Sequence, residues 1–284
     1  MSDKMSLIKN LRDKTGAGFL DCKNALEENN NQIEESIDFL RKKGLAKASK
    51  KSSRVASEGA VGIYSNEFKS VILKINSETD FATKGETFLN FFDKIGNLLL
   101  NTDNIDFNSI MNEKFEDRKL SDYFTDIIAR IGENIILSDI KITNHSASRF
   151  NFYVHNSYKE NIGKIISYIS YDSKILNDQI TEFTKNLCMH VAASKPEALD
   201  VEFLSEELVS REKEVQRDSI ESSGKPKDII EKILEGKMNK FFSDSTLLNQ
   251  KFILDPEKDV KKAINDLPKE LEFKLINYEL MMLN

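Results

Sequence analysis

The 284-residue chain reads as an α+β protein. It is expected to open with a three-helix module, continue into two related antiparallel-sheet-plus-helix subdomains, and carry a helical hairpin inserted in the second. Three observations predict this. Apolar residues recur at helical spacing over the first 44 positions. From residue 58 the pattern shifts to short β-rich runs followed by a Phe-rich helical stretch. A strand–turn–strand–helix order then returns from residue 150, with weak identity between the copies. Sheets covered by helices satisfy both patterns.

Leu7, Ile8 and Leu11 mark the first helix, Cys22, Ala25 and Leu26 the second, and Ile33, Ile37 and Leu40 the third, with Gly44 expected as its stop. Gly16 and Gly18 interrupt the helical pattern, so a tight turn is expected between the first two helices. Phe19 and Leu20 follow it, and Asp21 is expected to cap the second helix and place a negative charge at its start. Residues 41–54 hold seven basic side chains and no acidic one. They could form a patch for RNA or an acidic protein, but few apolar residues accompany them, and a solvated linker helix or tether is the favoured reading.

Ala60–Tyr64 and Ser70–Ile75 read as strands joined by a turn around Asn66. Phe88, Phe91, Phe92, Ile95 and Leu98 recur at helical spacing, residues 102–120 read as polar loop with short helices, and a helix near 121–132 leads to a strand over Ile135–Ile142. In the second copy, Phe150–His155 and Gly163–Ile169 are strand candidates, and Ile180, Phe183, Leu187 and Val191 mark a helix. A helix from about Leu204 to Glu221 and a second with Ile229, Ile230, Ile233, Leu234, Met238 and Phe241 flank a turn over Ser222–Pro226, Pro226 being expected at the first helical position. Strands near Lys251–Leu254 and Leu271–Met282 are expected to return to the second sheet. The boundaries read as 1–44 for the three-helix module, 45–57 for a basic linker, 58–143 and 144–284 for the subdomains, and about 204–242 for the hairpin.

Composition narrows the function. A net charge of −6 argues against a general DNA or RNA binder, which needs a basic face to neutralise phosphates. Cys22 and Cys188 are single cysteines without metal-site spacing, expected reduced and buried. No secretory or transit segment opens the chain, and no run approaches the ~20 apolar residues of a membrane span, so a soluble cytoplasmic protein is expected. Phosphate loops, dinucleotide fingerprints and zinc-protease motifs are missing, and His145, His155 and His190 are widely spaced. No enzymatic role, metal or cofactor is expected.

The segment Ser77–Ala82 reads SETDFA, between a strand and the Phe-rich helix. Two readings compete. Phe81 beside Asp80 could be an exposed partner contact. Alternatively, Phe81 tucks into its own core while Asp80 caps the next helix.

Residues Leu11–Leu26, LRDKTGAGFLDCKNAL, resemble the opening signature of the bacterial elongation factor Ts family. The resemblance extends through Thr79-Asp80-Phe81, Arg130-Ile131-Gly132-Glu133-Asn134-Ile135, Tyr153-Val154-His155, His190–Pro196 and Ser223–Pro226. Ala82 replaces the family's valine, and Arg130 its lysine. The resemblance implies a ubiquitin-associated-like (UBA-like) N-terminal module and guanine-nucleotide exchange on elongation factor Tu. It makes Thr79, Asp80, Phe81 and Ala82 the loop that enters the partner's G domain and disturbs its magnesium and phosphate site. Gly16, Ala17, Gly18, Phe19, Leu20 and Lys23 become a second attachment, Ile131 and Gly132 part of the contact surface, and His155 a contact of the second subdomain with another partner domain. Family members often carry a further helix beyond the last strand, which this chain is expected to lack. A non-enzymatic adaptor using the three-helix module and an RNA binder using residues 41–54 are the alternatives. Whether the 204–242 arm forms a homodimer, touches the partner or projects stays open.

Overall fold

The computed structural model describes residues 2–103, 105–115, 117–145, 148–221 and 226–283. The chain divides into two compact units: residues 1–144, 156–165 and 281–284, and residues 145–155 with 166–280.

The first unit opens with helices α1 (Ser2–Thr15), α2 (Phe19–Glu28) and α3 (Ile33–Lys51). Their apolar stripes meet as the spacing predicts: Ile8, Leu11, Cys22, Ala25 and Leu26 are buried together, with Ile33, Ile37 and Leu40 against them. The hairpin β1 (Glu58–Ser65) and β2 (Lys69–Ser77) follows, paired from Glu58↔Ser77 to Ser65↔Ser70. Asn66 shapes its turn, its Oδ1 accepting from the amides of Phe68 and Lys69, both at 2.9 Å.

After β2 come α4 (Asp80–Lys84), α5 (Glu86–Leu100), a 3₁₀ turn at Ile110–Asn112, the short strands β3 (Lys114–Phe115) and β4 (Arg118–Lys119), α6 (Leu120–Ile131) and β5 (Ile136–Asn144). Strand β7 (Ile162–Gly163), numbered after the intervening β6 (Arg149–His155), completes a four-stranded sheet in the order β5-β2-β1-β7. Phe88, Phe92, Ile95 and Leu99 of α5 and Leu120 and Phe124 of α6 share one core with Leu73 and Ile75 of β2. Phe91 meets Phe124 edge-on, ring centroids 5.0 Å apart, an arrangement the ring quadrupoles favour.

Two expectations fail here. Gly44 does not stop α3, which runs seven residues further to Lys51. A glycine inside a helix costs roughly 1 kcal/mol against alanine, yet this one is buried against α6, where a Cβ would lie 3.5 Å from Ala129 and 3.7 Å from Thr125. Packing on a neighbouring helix outweighs the local propensity, so residues 45–51 are docked helix rather than free tether. Nor does Asp21 cap α2: Gly18 holds that position, and Asp21, in the first turn, pairs instead with Lys43 and Lys47 of α3 at 2.9 and 3.1 Å.

In the second unit β6 and β8 (Ile165–Asp172) join β11 (Lys274–Met282) in a three-stranded sheet, order β11-β8-β6. Helix α7 (Asp178–Ser194) buries Ile180, Leu187, Cys188 and Val191 with Ile169 and Tyr171 of β8. The expected single strand over Gly163–Ile169 is interrupted at Lys164: β7 belongs to the first unit's sheet and β8 to the second's.

Helices α8 (Glu206–Glu221) and α9 (Lys227–Ser245) form the hairpin, closed by Ile220, Leu234 and Met238 with Ile230, Ile233 and Phe241 against them. Pro226 is the N-cap of α9 rather than its first residue, and the expected turn residues Ser222–Lys225 lie outside the described residues. The run Lys251–Leu254 does not return to the three-stranded sheet of the second unit as expected. Among the described residues, strand β9 (Lys251–Phe252) pairs with β10 (Asp255–Asp259) alone, ahead of α10 (Val260–Asn265).

Cys22 and Cys188 are free and buried. His190 is buried on α7, its Nε2 3.0 Å from Gln250 Oε1; burial lowers its pKa, partly offset by that hydrogen bond.

Candidate functional site

Phe81 is the most exposed aromatic side chain among the described residues, at 86%. It occupies the second position of α4, a helix too short to be stable alone. Local hydrogen bonds set that helix. Thr79, not Asp80, is the N-cap, its Oγ1 accepting from the Ala82 amide at 3.3 Å. Thr83 Oγ1 donates to the Asp80 carbonyl at 2.9 Å. Asp80 and Lys84 pair at 2.7 Å one turn apart, and this hydrogen bond holds the Asp80 carboxyl below its ordinary range. The reading in which Phe81 enters its own core fails because α4 points the ring into solvent. The buried aromatic positions are taken by Phe88 and Phe92 of α5.

The corner is joined to the turn between α6 and β5. Gly132 caps α6 in the left-handed region at φ +88°, where L side chains are strained, and its amide donates to the Ile128 carbonyl at 2.9 Å. Lys51 Nζ donates to the Gly132 carbonyl. Next in sequence, Glu133 Oε2 accepts from Ser77 Oγ at 2.8 Å and the Thr79 amide at 3.0 Å, and Oε1 accepts from Thr79 Oγ1 at 2.7 Å. Burial pushes the Glu133 carboxyl up, but the Thr79 and Ser77 hydrogen bonds outweigh it and leave it below the ordinary glutamate value. Glu78 reaches the other way, accepting from the Asn134 amide at 2.7 Å and pairing with Arg54 at 3.3 Å. Asn134 Nδ2 donates to the Arg54 carbonyl at 2.8 Å.

At the N-terminal turn, Gly16 has φ +65°. Thr15 Oγ1 donates to the Leu11 carbonyl at 2.6 Å and accepts from the Ala17 amide at 3.3 Å, which finishes α1 and starts the reversal. Phe19 and Leu20 then stand 44% and 65% exposed at the start of α2. Lys23 lies one turn on, 4.0 Å from Glu27. The Gly16 carbonyl accepts from Arg130 Nε of α6 at 3.0 Å, and Arg41 of α3 pairs with Asp122 of α6 at 2.8 Å. Between these clamps lies a cavity of about 420 Å³, lined in part by Ala17, Gly18, Leu40 and Ala129.

Thus α6 carries the fastening of the Gly16–Leu20 turn at Arg130, followed directly by Ile131, Gly132 and the residue that holds the Phe81 corner. Ile131 and Gly132 are themselves half-buried. His155 lies in the second unit, half-buried on β6, with Nδ1 3.2 Å from the Tyr153 hydroxyl. Sequence reasoning passes over Glu133, Glu78, Arg54 and the contact made by Arg130. The available signal is that Glu133 and Arg130 stand in the same matched segment as Ile131 and Gly132. Among the described residues, no group of three or more His, Cys, Asp or Glu side chains could hold a metal ion, and no helix is long and apolar enough to cross a membrane.

A three-helix head, two sheet-and-helix units and a helical hairpin define an α+β architecture. The family model described as Elongation factor TS matches residues 78–281. Elongation factor Ts of Rhodospirillum centenum is 37% identical over 266 residues, 93% of this chain and 86% of the relative. That of Rickettsia felis is 39% identical over 280 residues, 96% and 90% of the two chains, and that of Magnetococcus marinus 38% over 273 residues, 95% and 88%. The chain belongs to the elongation factor Ts family, and its role lies in translation elongation.

Proposed function

We propose that this chain binds the GDP-loaded form of elongation factor Tu and speeds GDP release, without itself catalysing a covalent reaction. The observation that carries the reading is the solvent-exposed Phe81 ring on a corner tied down at its base. In this mechanism Phe81, with Thr79, Asp80 and Ala82, enters the partner's G domain and disturbs its magnesium and phosphate site. The turn Gly16-Ala17-Gly18-Phe19-Leu20, with Lys23, holds the same domain from a second side, and Ile131 and Gly132 complete the surface between them. His155 contacts another domain of the partner and anchors the complex. The functional division is the head at 1–44, the segment 45–57, and subdomains 58–143 and 144–284, working in the cytoplasm.

Energetics support two attachments. Each tenfold acceleration of release requires about 1.4 kcal/mol less barrier, so several decades need roughly 4 to 7 kcal/mol of differential contact, more than one apolar ring supplies. Linkage makes the accompanying loss of affinity reciprocal: the factor by which the exchange factor lowers nucleotide affinity is the factor by which bound nucleotide lowers the exchange factor's own. The RNA-binding alternative finds little support in the basic segment. Arg41, Lys43, Lys47, Lys51 and Arg54 are engaged by Asp122, Asp21, the Gly132 carbonyl and Glu78 within the chain.

The test is release of fluorescent GDP from purified elongation factor Tu, with the chain added at increasing concentration. Saturable acceleration is expected; a release rate equal to that of the partner alone overturns the reading.

A further inference from the structure

We infer that Glu133 is a positioning residue for exchange: its carboxylate fixes the base of the Phe81 corner, so that the ring keeps its aim when pressed into the partner. The inference deepens the proposed function and rests on Phe81 being the wedge.

A ring 86% exposed gains no rigidity from packing of its own. Any resistance to deflection must come from the backbone beneath it. α4 has five residues, and its cap, Thr79, is the joint with the sheet. Glu133 holds that joint from outside the helix with three hydrogen bonds: Ser77 Oγ, the Thr79 amide and Thr79 Oγ1, at 2.8, 3.0 and 2.7 Å. Both carboxylate oxygens are used, so the loop cannot pivot about one contact. Bonds of neutral donors to an ionised acceptor are the stronger kind.

The bridge is crossed by a second in the opposite direction. Glu78, between Ser77 and Thr79, accepts from the Asn134 amide at 2.7 Å, next to Glu133. Each loop thus offers a carboxylate to the other's backbone, locking residues 77–79 to residues 133–134. The second loop has little freedom, because Gly132 ends α6 in a fixed left-handed cap and Lys51 binds its carbonyl. Two residues earlier, Arg130 holds the Gly16 carbonyl at 3.0 Å. Glu133 therefore connects the Phe81 corner to the helix that also fastens the N-terminal turn.

A glutamate that merely stabilised the fold would not affect the rate from a saturated complex once the protein is folded. The two roles separate in the dependence of GDP release on exchange-factor concentration. With Glu133→Ala, the saturating release rate should fall five- to thirtyfold, while the half-saturating concentration moves less than threefold. Glu133→Gln can still accept through its carbonyl from Ser77 and the Thr79 amide and donate to Thr79 Oγ1, and should stay within threefold of the native rate. If Glu133 acts through Phe81, the effects are not additive: in a Phe81→Ala background, Glu133→Ala should change the rate less than twofold. Circular dichroism checks folding. Should Glu133→Ala not fold, Ser77→Ala removes one donor and should lower the saturating rate two- to fivefold.

A native saturating rate in folded Glu133→Ala overturns the inference, as does a native rate in Ser77→Ala if Glu133→Ala does not fold. Full multiplication of the Glu133 and Phe81 effects does the same. In those cases Phe81→Ala still slows release and the wedge reading stands. An unchanged rate in Phe81→Ala alone removes the wedge and this inference together.

Discussion

Phe81 and Leu20 are both large apolar side chains held in solvent, yet the chain supports them differently. Phe81 stands on a five-residue helix whose base is cross-braced by Glu133 and Glu78. Leu20 sits in the first turn of a ten-residue helix, beside a glycine turn tied to α6 through the Arg130–Gly16 hydrogen bond. The first arrangement favours holding a direction against load; the second favours adjustment to a surface. A wedge and a grip call for these respective properties, since ordering a flexible contact on binding costs free energy that a pre-set one avoids.

The contrast predicts effects of graded size. The largest effect is expected from Phe81→Ala, which should slow stimulated GDP release more than tenfold while thermal unfolding stays within experimental scatter, because the ring is 86% exposed and buries little apolar surface. Unchanged release would erase the distinction between the two sites. Leu20→Ala should instead act on affinity, raising the half-saturating concentration about three- to tenfold, consistent with roughly 1 kcal/mol for a peripheral apolar contact. A drop in the saturating rate would make Leu20 part of the wedge.

A smaller effect is expected from Gly16→Ala. The φ of +65° costs an L residue roughly 1 kcal/mol, and the new Cβ would displace the Arg130 guanidinium, a flexible side-chain end that can swing away. Melting temperature should fall by a few degrees and affinity should weaken slightly, with the saturating rate retained. No change in melting temperature would place the strain elsewhere.

The smallest effect is spectroscopic. The folded-state pKa of Glu133 is lowered, so its bonds contribute fully above the ordinary glutamate value near pH 4.3. That contribution is lost as the pH falls through the lower folded value. The Thr79 amide proton resonance should shift with a midpoint below that ordinary value, while the Ala17 amide, bonded to the Thr15 hydroxyl, stays still. A Thr79 midpoint at or above the ordinary value would contradict the brace.

Much of the fold is legible in the order of residues. Phe88, Phe92 and Ile95 repeat at helical spacing over long enough a run to fix α5, and Asn66 between two β-rich runs specifies a hairpin. Elements of two to six residues escape, because β3, β4, α4 and α10 are too short to show a period. The Gly44 and Lys164 positions escape for another reason. Whether a glycine ends a helix or packs inside it depends on Thr125 and Ala129 of α6, 81 and 85 residues downstream, and an apolar run cannot announce that its halves belong to different sheets. The candidate site divides similarly. Phe81 is visible as an aromatic in a loop, but its exposure is not, and the partners of Glu133 lie 54 and 56 residues away.

The burial of both cysteines has a practical consequence. Burial raises the thiol pKa of Cys22 and, more strongly, of Cys188, so few thiolates exist at neutral pH to meet an alkylating reagent. The chain also lacks tryptophan. It therefore starts chemically and optically quiet, and one engineered thiol beside the aromatic corner would carry a dye whose signal has a single origin.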